Sequence, residues 1–276
     1  MATPLGDFIR SRRDATTPVQ VGLPAGERRR APGLRRSELA SAAGISVEYL
    51  TRIEQGRDRN PSVQVVNAIA DALRLDKGER EHLRYLTKAS SGECVAPSPP
   101  STEVRPPVRA VLYQLEPGIA VVANRLGDLL AYTSGFERLA RPLGLLDAAA
   151  PNLTRFVFTD DRARDAFPDW DRVATERALE AWRAPRTDEA AVFEAELAAA
   201  AGEEFTRRRE SHDLPAPGPQ RWLHPVAGEL RLDCEVMDLP AGEGQQLLVM
   251  VPADEATRAA LDQLHWGEAG TLRAVN

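Results

Sequence analysis

Gly44 sits between two short helical patterns, and that junction constrains the chain more than any other feature. Within residues 34–57, Leu39, Ala40 and Ala43 fall on one face of the first pattern. Val47, Leu50 and Ile53 fall on one face of the second, at spacings of three. Each residue of the connection has a use. Gly44 supplies the positive φ wanted just past a helix end. Ile45 is apolar and can plug the angle between the helices. Ser46 can cap the next helix with its hydroxyl. Ala40 is small where two steeply crossing helices come close. The pattern predicts a helix-turn-helix, a shape whose second helix fits the major groove of DNA. The bland alternative is an ordinary helical pair in a bundle.

Charge supports the first reading. The 276 residues carry a net −6, yet residues 1–90 hold 16 Lys and Arg against 11 Asp and Glu, a net of +5. Residues 91–276 therefore carry −11. A basic head on an acidic body confines attraction for phosphate to one end. The two cysteines, Cys94 and Cys234, form no CxxC pair, so neither a metal site nor a disulfide framework is expected, and the cytoplasm is the natural compartment. No leader of charged then apolar residues follows Met1. No apolar run reaches the roughly 18 residues that a membrane span needs.

Five helices are expected in the head, residues 1–88, around one small core. Residues 3–14 carry the stripe Leu5, Phe8 and Ile9, with Arg10, Arg12 and Arg13 on other faces. Residues 15–33 are too rich in Thr, Pro and Gly for helix and hold Arg28, Arg29 and Arg30. A fourth helix follows Ser62, with Val66, Ile69, Ala70 and Leu73 inward, and a fifth runs over 77–88. Residues 89–105 read as a flexible linker of proline, serine and glycine. The second domain is expected over 106–254. It opens with a short helix and a hairpin of Ile119–Ala123 and Asp128–Tyr132. A helical block follows to about 214, broken at Phe156–Phe158 and Phe167–Trp170. Strands return at Gln220–His224, Glu229–Val236 and Gln246–Val251, the middle one with Leu230, Leu232, Cys234 and Val236 inward. This order predicts an α+β, PAS-like domain: a five-stranded antiparallel sheet with helices on one side. Residues 255–276 are expected to be a loose tail or one helix.

Residues 32–40 (Pro-Gly-Leu-Arg-Arg-Ser-Glu-Leu-Ala) and 49–62 (Tyr-Leu-Thr-Arg-Ile-Glu-Gln-Gly-Arg-Asp-Arg-Asn-Pro-Ser) resemble the XRE family of helix-turn-helix regulators. They resemble in particular an actinobacterial-type branch that carries an MmyB-like ligand-binding domain. Asn152-Leu153, Phe167-Pro-Asp-Trp170 and the segment His224–Leu230 are similar to landmarks of that domain. One departure stands out: Tyr132-Thr133 occupies the place of a frequent Trp-Asn.

The resemblance implies a homodimer on a two-fold double-stranded operator. It sends Val47, Glu48 and Arg52 toward base edges. There Arg52 suits guanine, Glu48 the cytosine amino group and Val47 a thymine methyl. Ser46 opens that helix in the same DNA-facing set, and Tyr49 and Thr51 fall at the groove wall. Arg36, Arg57, Arg59 and Asn60 match phosphate-gripping positions, and phosphate contact is favoured over a solvated charge run for Arg28, Arg29 and Arg30. Glu54 reads as structural, paired to an arginine of the preceding helix or loop. In the second domain the resemblance implies a lipophilic, fatty-acid-like effector and no other cofactor. The candidate lining is Val121, Leu129, Tyr132, Phe136, Phe156, Phe158, Phe167, Trp170, Trp182, Leu232 and Met250. As plain core residues they would look the same from sequence. No catalytic constellation is evident, and an enzyme is not expected. The rival reading is a DNA-binding regulator whose second domain only dimerises or binds a protein partner.

Overall fold

The computed structural model describes residues 3–23, 33–90, 102–185, 187–211, 213–239, 244–264 and 273–274. Arg28, Arg29, Arg30 and Cys94 lie outside the described residues. The chain forms two compact units, Met1–Ala96 and Pro97–Asn276.

The first unit contains α1 (Pro4–Ala15), α2 (Arg36–Ala42), α3 (Val47–Glu54), α4 (Val63–Ala72) and α5 (Lys77–Ser90). Leu5, Phe8, Ile9, Leu39, Leu50, Ile53, Ile69, Leu83 and Leu86 are buried together as its core. Helix α1 starts at Pro4, where a missing N–H costs nothing, and Thr3 Oγ1 accepts the Gly6 amide at 3.2 Å. Gly6 is where α1 touches α3: a Cβ there would meet the Glu54 carbonyl oxygen at 2.5 Å. Arg13, read as lying off the core stripe, is buried; the reason is a buried acid on α3, described below. Val47, placed by spacing on the face of Leu50 and Ile53, is 39% exposed, because the first turn of α3 projects beyond the core.

The second unit begins with α6 (Pro106–Gln114), then β1 (Ile119–Asn124), β2 (Leu129–Tyr132) and α7 (Ser134–Ala140). The helical block is α8 (Leu153–Thr159), α9 (Arg162–Ala166), α10 (Trp170–Arg183), α11 (Asp188–Ala201) and α12 (Glu203–Glu210). Phe156–Phe158, expected as a break, lies inside α8. Then come β3 (Gln220–His224), β4 (Gly228–Asp238), β5 (Gln245–Pro252), α13 (Glu255–Gln263) and β6 (Arg273–Ala274). The sheet order is β3-β4-β5-β1-β2-β6, and every pairing is antiparallel. The five expected strands are there, and the short β6 adds a sixth beside β2.

Helices cover both faces of the sheet's centre, not one. Ile119, Val121 and Ala123 of β1 face the helical block, while Ala120 and Val122 pack with Val108 and Leu112 of α6. A strand apolar on both sides needs cover on both sides. Val104 is buried in that second layer and the Glu103 carbonyl accepts from Gln245 Nε2 at 3.0 Å, so the ordered unit starts before 106. It also continues past 254. Asp254 caps α13, Leu261 joins the main core, and Thr257 Oγ1 accepts the Arg231 amide at 3.0 Å. On β4 the inward row holds at Leu230 and Leu232 and loosens beyond them. Cys234 is half-buried and Val236 is 43% exposed, since β4 runs on past the main core.

Polar groups clamp the edges of this unit. Asn152 caps α8, and its Nδ2 donates to Asp128 Oδ1 at 2.7 Å and to the Leu126 carbonyl at 3.3 Å. Asn124 donates to Asp128 Oδ2 at 2.7 Å, so the β1–β2 turn and α8 share one knot. Thr133 caps α7 through the Phe136 amide and donates to the Gly118 carbonyl at 2.6 Å. Threonine thus does the capping that an asparagine at this position can also do. Glu180 of α10 is buried and receives Arg125 Nη1 and, at 2.8 Å, Arg183 Nη1. Burial pushes the Glu180 carboxyl up, but the charges of Arg125, Arg183 and Arg177 outweigh it. Its pKa lies below the ordinary value.

A depressed carboxylate pKa stabilises the fold above the unfolded value, about 4.3, and that contribution fades as pH falls through the folded value. The stability of the wild type, measured by denaturant unfolding between pH 6 and pH 3, is expected to fall more steeply than that of Glu180→Gln. Parallel acid limbs would remove Glu180 from the pH response.

Candidate DNA-reading helix and effector domain

The turn between α2 and α3 closes by two backbone bonds. The Gly44 amide donates to the Ser41 carbonyl at 3.2 Å and the Ile45 amide to the Ala40 carbonyl at 3.0 Å. Gly44 has φ 66°, so this is a left-handed helix stop of the kind glycine allows without strain. Ser46 Oγ then accepts the Tyr49 amide at 3.0 Å and starts α3. The same stop recurs at the end of α3. Gly56 has φ 68°, and the Arg57 amide donates to the Arg52 carbonyl at 2.9 Å.

Between those stops α3 has two faces. Leu50, Ile53 and Glu54 are fully buried. Glu48 and Arg52 are exposed, with Thr51 half-buried beside them. Thr51 Oγ1 donates to the Val47 carbonyl at 2.8 Å, so its hydroxyl is partly engaged. Arg52 is 59% exposed and leans on Asp58, with N···O 3.6 Å. Burial, then the charge of Asp58, raises the Tyr49 pKa despite the nearby charge of Arg52, so its phenol keeps its proton at neutral pH. Arg57, Arg59 and Asn60 are exposed in the turn after α3. Gln55 was missed from sequence and is also exposed; its spacing of three from Arg52 was the available signal.

Glu54 holds the unit in shape. Its Oε1 accepts Arg13 Nε of α1 at 2.8 Å, and its Oε2 accepts Arg36 Nε of α2 at 2.6 Å. Arg13 also donates to the Leu34 carbonyl at 2.9 Å and to Asp14 at 2.6 Å. The expected pairing of Glu54 with an arginine of α2 is therefore present, with Arg13 as a second partner. Arg36, expected at phosphate, has its Nε committed to Glu54, while its side chain remains 43% exposed.

In the second unit, nine of the eleven expected lining residues share one core between sheet and helices: Val121, Leu129, Tyr132, Phe136, Phe156, Phe167, Trp170, Leu232 and Met250. Phe158 packs against its edge. Trp182 is half-buried and lies outside that cluster, because α10 turns it off the inward stripe. The aromatic rings meet edge to face, Phe167 on Trp222 at 4.8 Å and Phe158 on Phe205 at 5.1 Å. A pocket of about 300 Å³ opens on the helical block, lined by Phe158 and Trp170 and by Asp160, Asp161 and Arg164.

Two polar residues of this unit are structural. His224 is buried; its Nδ1 accepts the Val226 and Ala227 amides at 3.2 and 3.0 Å, and its Nε2 faces the Arg138 carbonyl at 3.2 Å. That set fixes the β3–β4 turn. Cys234 is a core-edge thiol; burial, with the charge of Glu176, pushes its pKa up to about 12. Among the described residues no group of three or more His, Cys, Asp or Glu side chains is placed to hold a metal. Nor is any described helix long and apolar enough to cross a membrane.

Glu54→Gln removes the buried counter-charge of Arg13 and leaves it only the exposed Asp14. Breaking a buried pair in this way costs about 3–5 kcal/mol. The melting transition of the helical unit is expected to fall accordingly; a loss under about 1 kcal/mol would mean that the core alone sets the angle of α3.

Comparison with known proteins gives two family matches. Residues 4–83 match a helix-turn-helix domain, and residues 104–264 match the MmyB-like transcription regulator ligand binding domain. A search of the curated proteins returns no match. The second match covers more than half of the chain and runs through both faces of the sheet and α13. The chain belongs to the MmyB-like family of transcription regulators, with a DNA-binding helix-turn-helix head and that family's ligand-binding domain.

Proposed function

We propose that this regulator, in the cytoplasm, reads a two-fold operator as a homodimer and that a fatty-acid-like lipophile bound by its second domain sets its occupancy of DNA. The observation that carries the DNA half is the division of α3. Its inner face is locked by Leu50, Ile53 and Glu54, while Glu48 and Arg52 stay outward on a head whose residues 1–90 carry net +5. In this reading Arg52 turns from Asp58 to guanine. Arg36, Arg57, Arg59, Asn60 and the basic run Arg28, Arg29 and Arg30 hold phosphate. Support for the effector half comes from the large aromatic core between sheet and helices together with the family match.

Coupling follows from the chain's layout. An effector shifts occupancy of DNA only by binding DNA-competent and incompetent dimers unequally. Two heads must stand about 34 Å apart to read two half-sites, and a shift in the pairing of second domains weakens that joint grip.

Two measurements test this. Arg52→Ala is expected to cost about 1–3 kcal/mol on the cognate operator and to relax preference at one base pair. Equal loss on every sequence in a base-substitution scan would make Arg52 a phosphate contact. In a melting screen of the full chain against saturated fatty acids of graded length, at least one is expected to raise Tm and to change operator affinity. A flat screen would leave the second domain as a dimerisation or protein-binding module.

A further inference from the structure

Helix α6 seals only part of the outer face of the sheet. Its Val108 and Leu112 pack on Ala120, Val122, Leu130 and Leu247, and Val249 of β5 borders that layer, half-buried. Beyond this border the face opens. Val251, next on the same side of β5, is 48% exposed. On β4 the outward row is Asp233, Glu235 and Met237, in register with Val251, Val249 and Leu247. All three are exposed, Met237 by 45%. Helix α6 itself turns Val111 and Tyr113 to solvent. Single exposed apolar side chains need no explanation, but a strip of them beside a packed helix marks a surface that meets something.

Charge says what it meets. On β3 and the start of β4 the charges are already paired: Arg221 with Glu229 and Asp169, and Arg231 with Asp254. Asp233 and Glu235 form no ion pair among the described residues. On α6 the balance is reversed. Pro106–Gln114 contains no acid. Its arginine, Arg109, is exposed and donates from Nε to the Val104 carbonyl at 3.0 Å, but it too forms no ion pair. One face thus carries unpaired anions on the strand and an unpaired cation on the helix, and within one molecule the two do not meet. Rotated about a two-fold axis, such a face is complementary to itself, since each contact of a two-fold pair occurs twice.

We propose that this face pairs two copies of the chain. Helix α6 of each copy lies on the open strip of β4 and β5 of the other, with Val111 and Tyr113 against Met237, Val249 and Val251, and Arg109 beside Asp233 and Glu235. The proposal rests on the homodimer reading above and names the surface that it uses. Strand β5 then serves both sides of the sheet. Leu248 and Met250 belong to the inner core, and Val249 and Val251 to the pairing face. A change in packing on the inner side reaches the dimer through one strand.

The test is sedimentation of the full chain at about 0.15 M salt, where the wild type is expected to run as a dimer. Arg109→Glu alone, and Asp233→Lys with Glu235→Lys alone, each set like charges against one another at both contacts. Each is expected to weaken self-association about ten- to a hundredfold. Mixed in equal amounts, the two variants are expected to pair at near wild-type affinity, because both contacts then join opposite charges. These positions are exposed, and the Tm of each variant checks that it folds. Hydroxyl-radical footprinting of the wild type needs no variant: Tyr113 and Met237 are expected to oxidise several-fold more slowly in the dimer than at high dilution. Protection that ignores dilution would mean that the same chain covers the face, and would overturn the proposal. So would a dimer that survives both charge reversals, or a mixture that fails to pair; either leaves a homodimer joined elsewhere. A wild type that stays monomeric both free and on a two-fold operator removes the homodimer reading, and this surface with it.

Discussion

Two arginines from different helices meet on the carboxylate of Glu54, and the orientation of α3 depends on that meeting. Apolar contact among Leu5, Phe8, Leu39, Leu50 and Ile53 makes the helices associate, but hydrophobic attraction is non-directional. Arg13 Nε and Arg36 Nε approach opposite oxygens of one buried acid. The carboxylate therefore fixes α1, α2 and α3 against one another by distance. Gly6 adds a steric limit, since no side chain fits between α1 and the Glu54 carbonyl. What α3 presents outward is consequently set by what lies beneath it.

The second domain divides its work differently. Its centre is a sheet made apolar on both sides, with β1 buried at all six positions. Its margins are polar and specific. The Asn124–Asp128–Asn152 knot joins the hairpin turn to α8, and His224 pins the β3–β4 turn. Arg125 links the turn after β1 to Glu180 on α10 and Asp238 on β4. Such bonds define how helices sit over the sheet, and the shape of its inner face follows from them.

Much of this was legible in the sequence, for physical reasons. Periodicity exposes amphipathic helices and alternating strands, so Leu50, Ile53, Leu230 and Leu232 could be assigned inward directly. Gly44 and Ser46 announced a turn because their roles are local. The long-range features were less visible. Nothing in its own neighbourhood marks Arg13 as buried; its partner lies 41 residues away. The alternation in β4 predicted an inward Val236, but where a strand outruns its core is a tertiary fact. The short helix α6 was expected, but its place on the second face of the sheet was equally hidden. Ala120, Val122 and Leu247 do show a second apolar face, yet two-sided burial reads in sequence only as an uninterrupted apolar run. Of the residues for the inner face, those on inward stripes gathered in one core, and Trp182 fell one position off the stripe of α10.

Cys234 gives the edge of the core on β4 a chemical property of its own. Attack on an oxidant requires the thiolate, and a thiol whose pKa stands near 12 holds almost none of it at neutral pH. A sulfur thus lies beside the step where core meets solvent with its proton held on. At the position where β4 leaves the core, the thiol therefore acts as a small packing residue and not as a nucleophile.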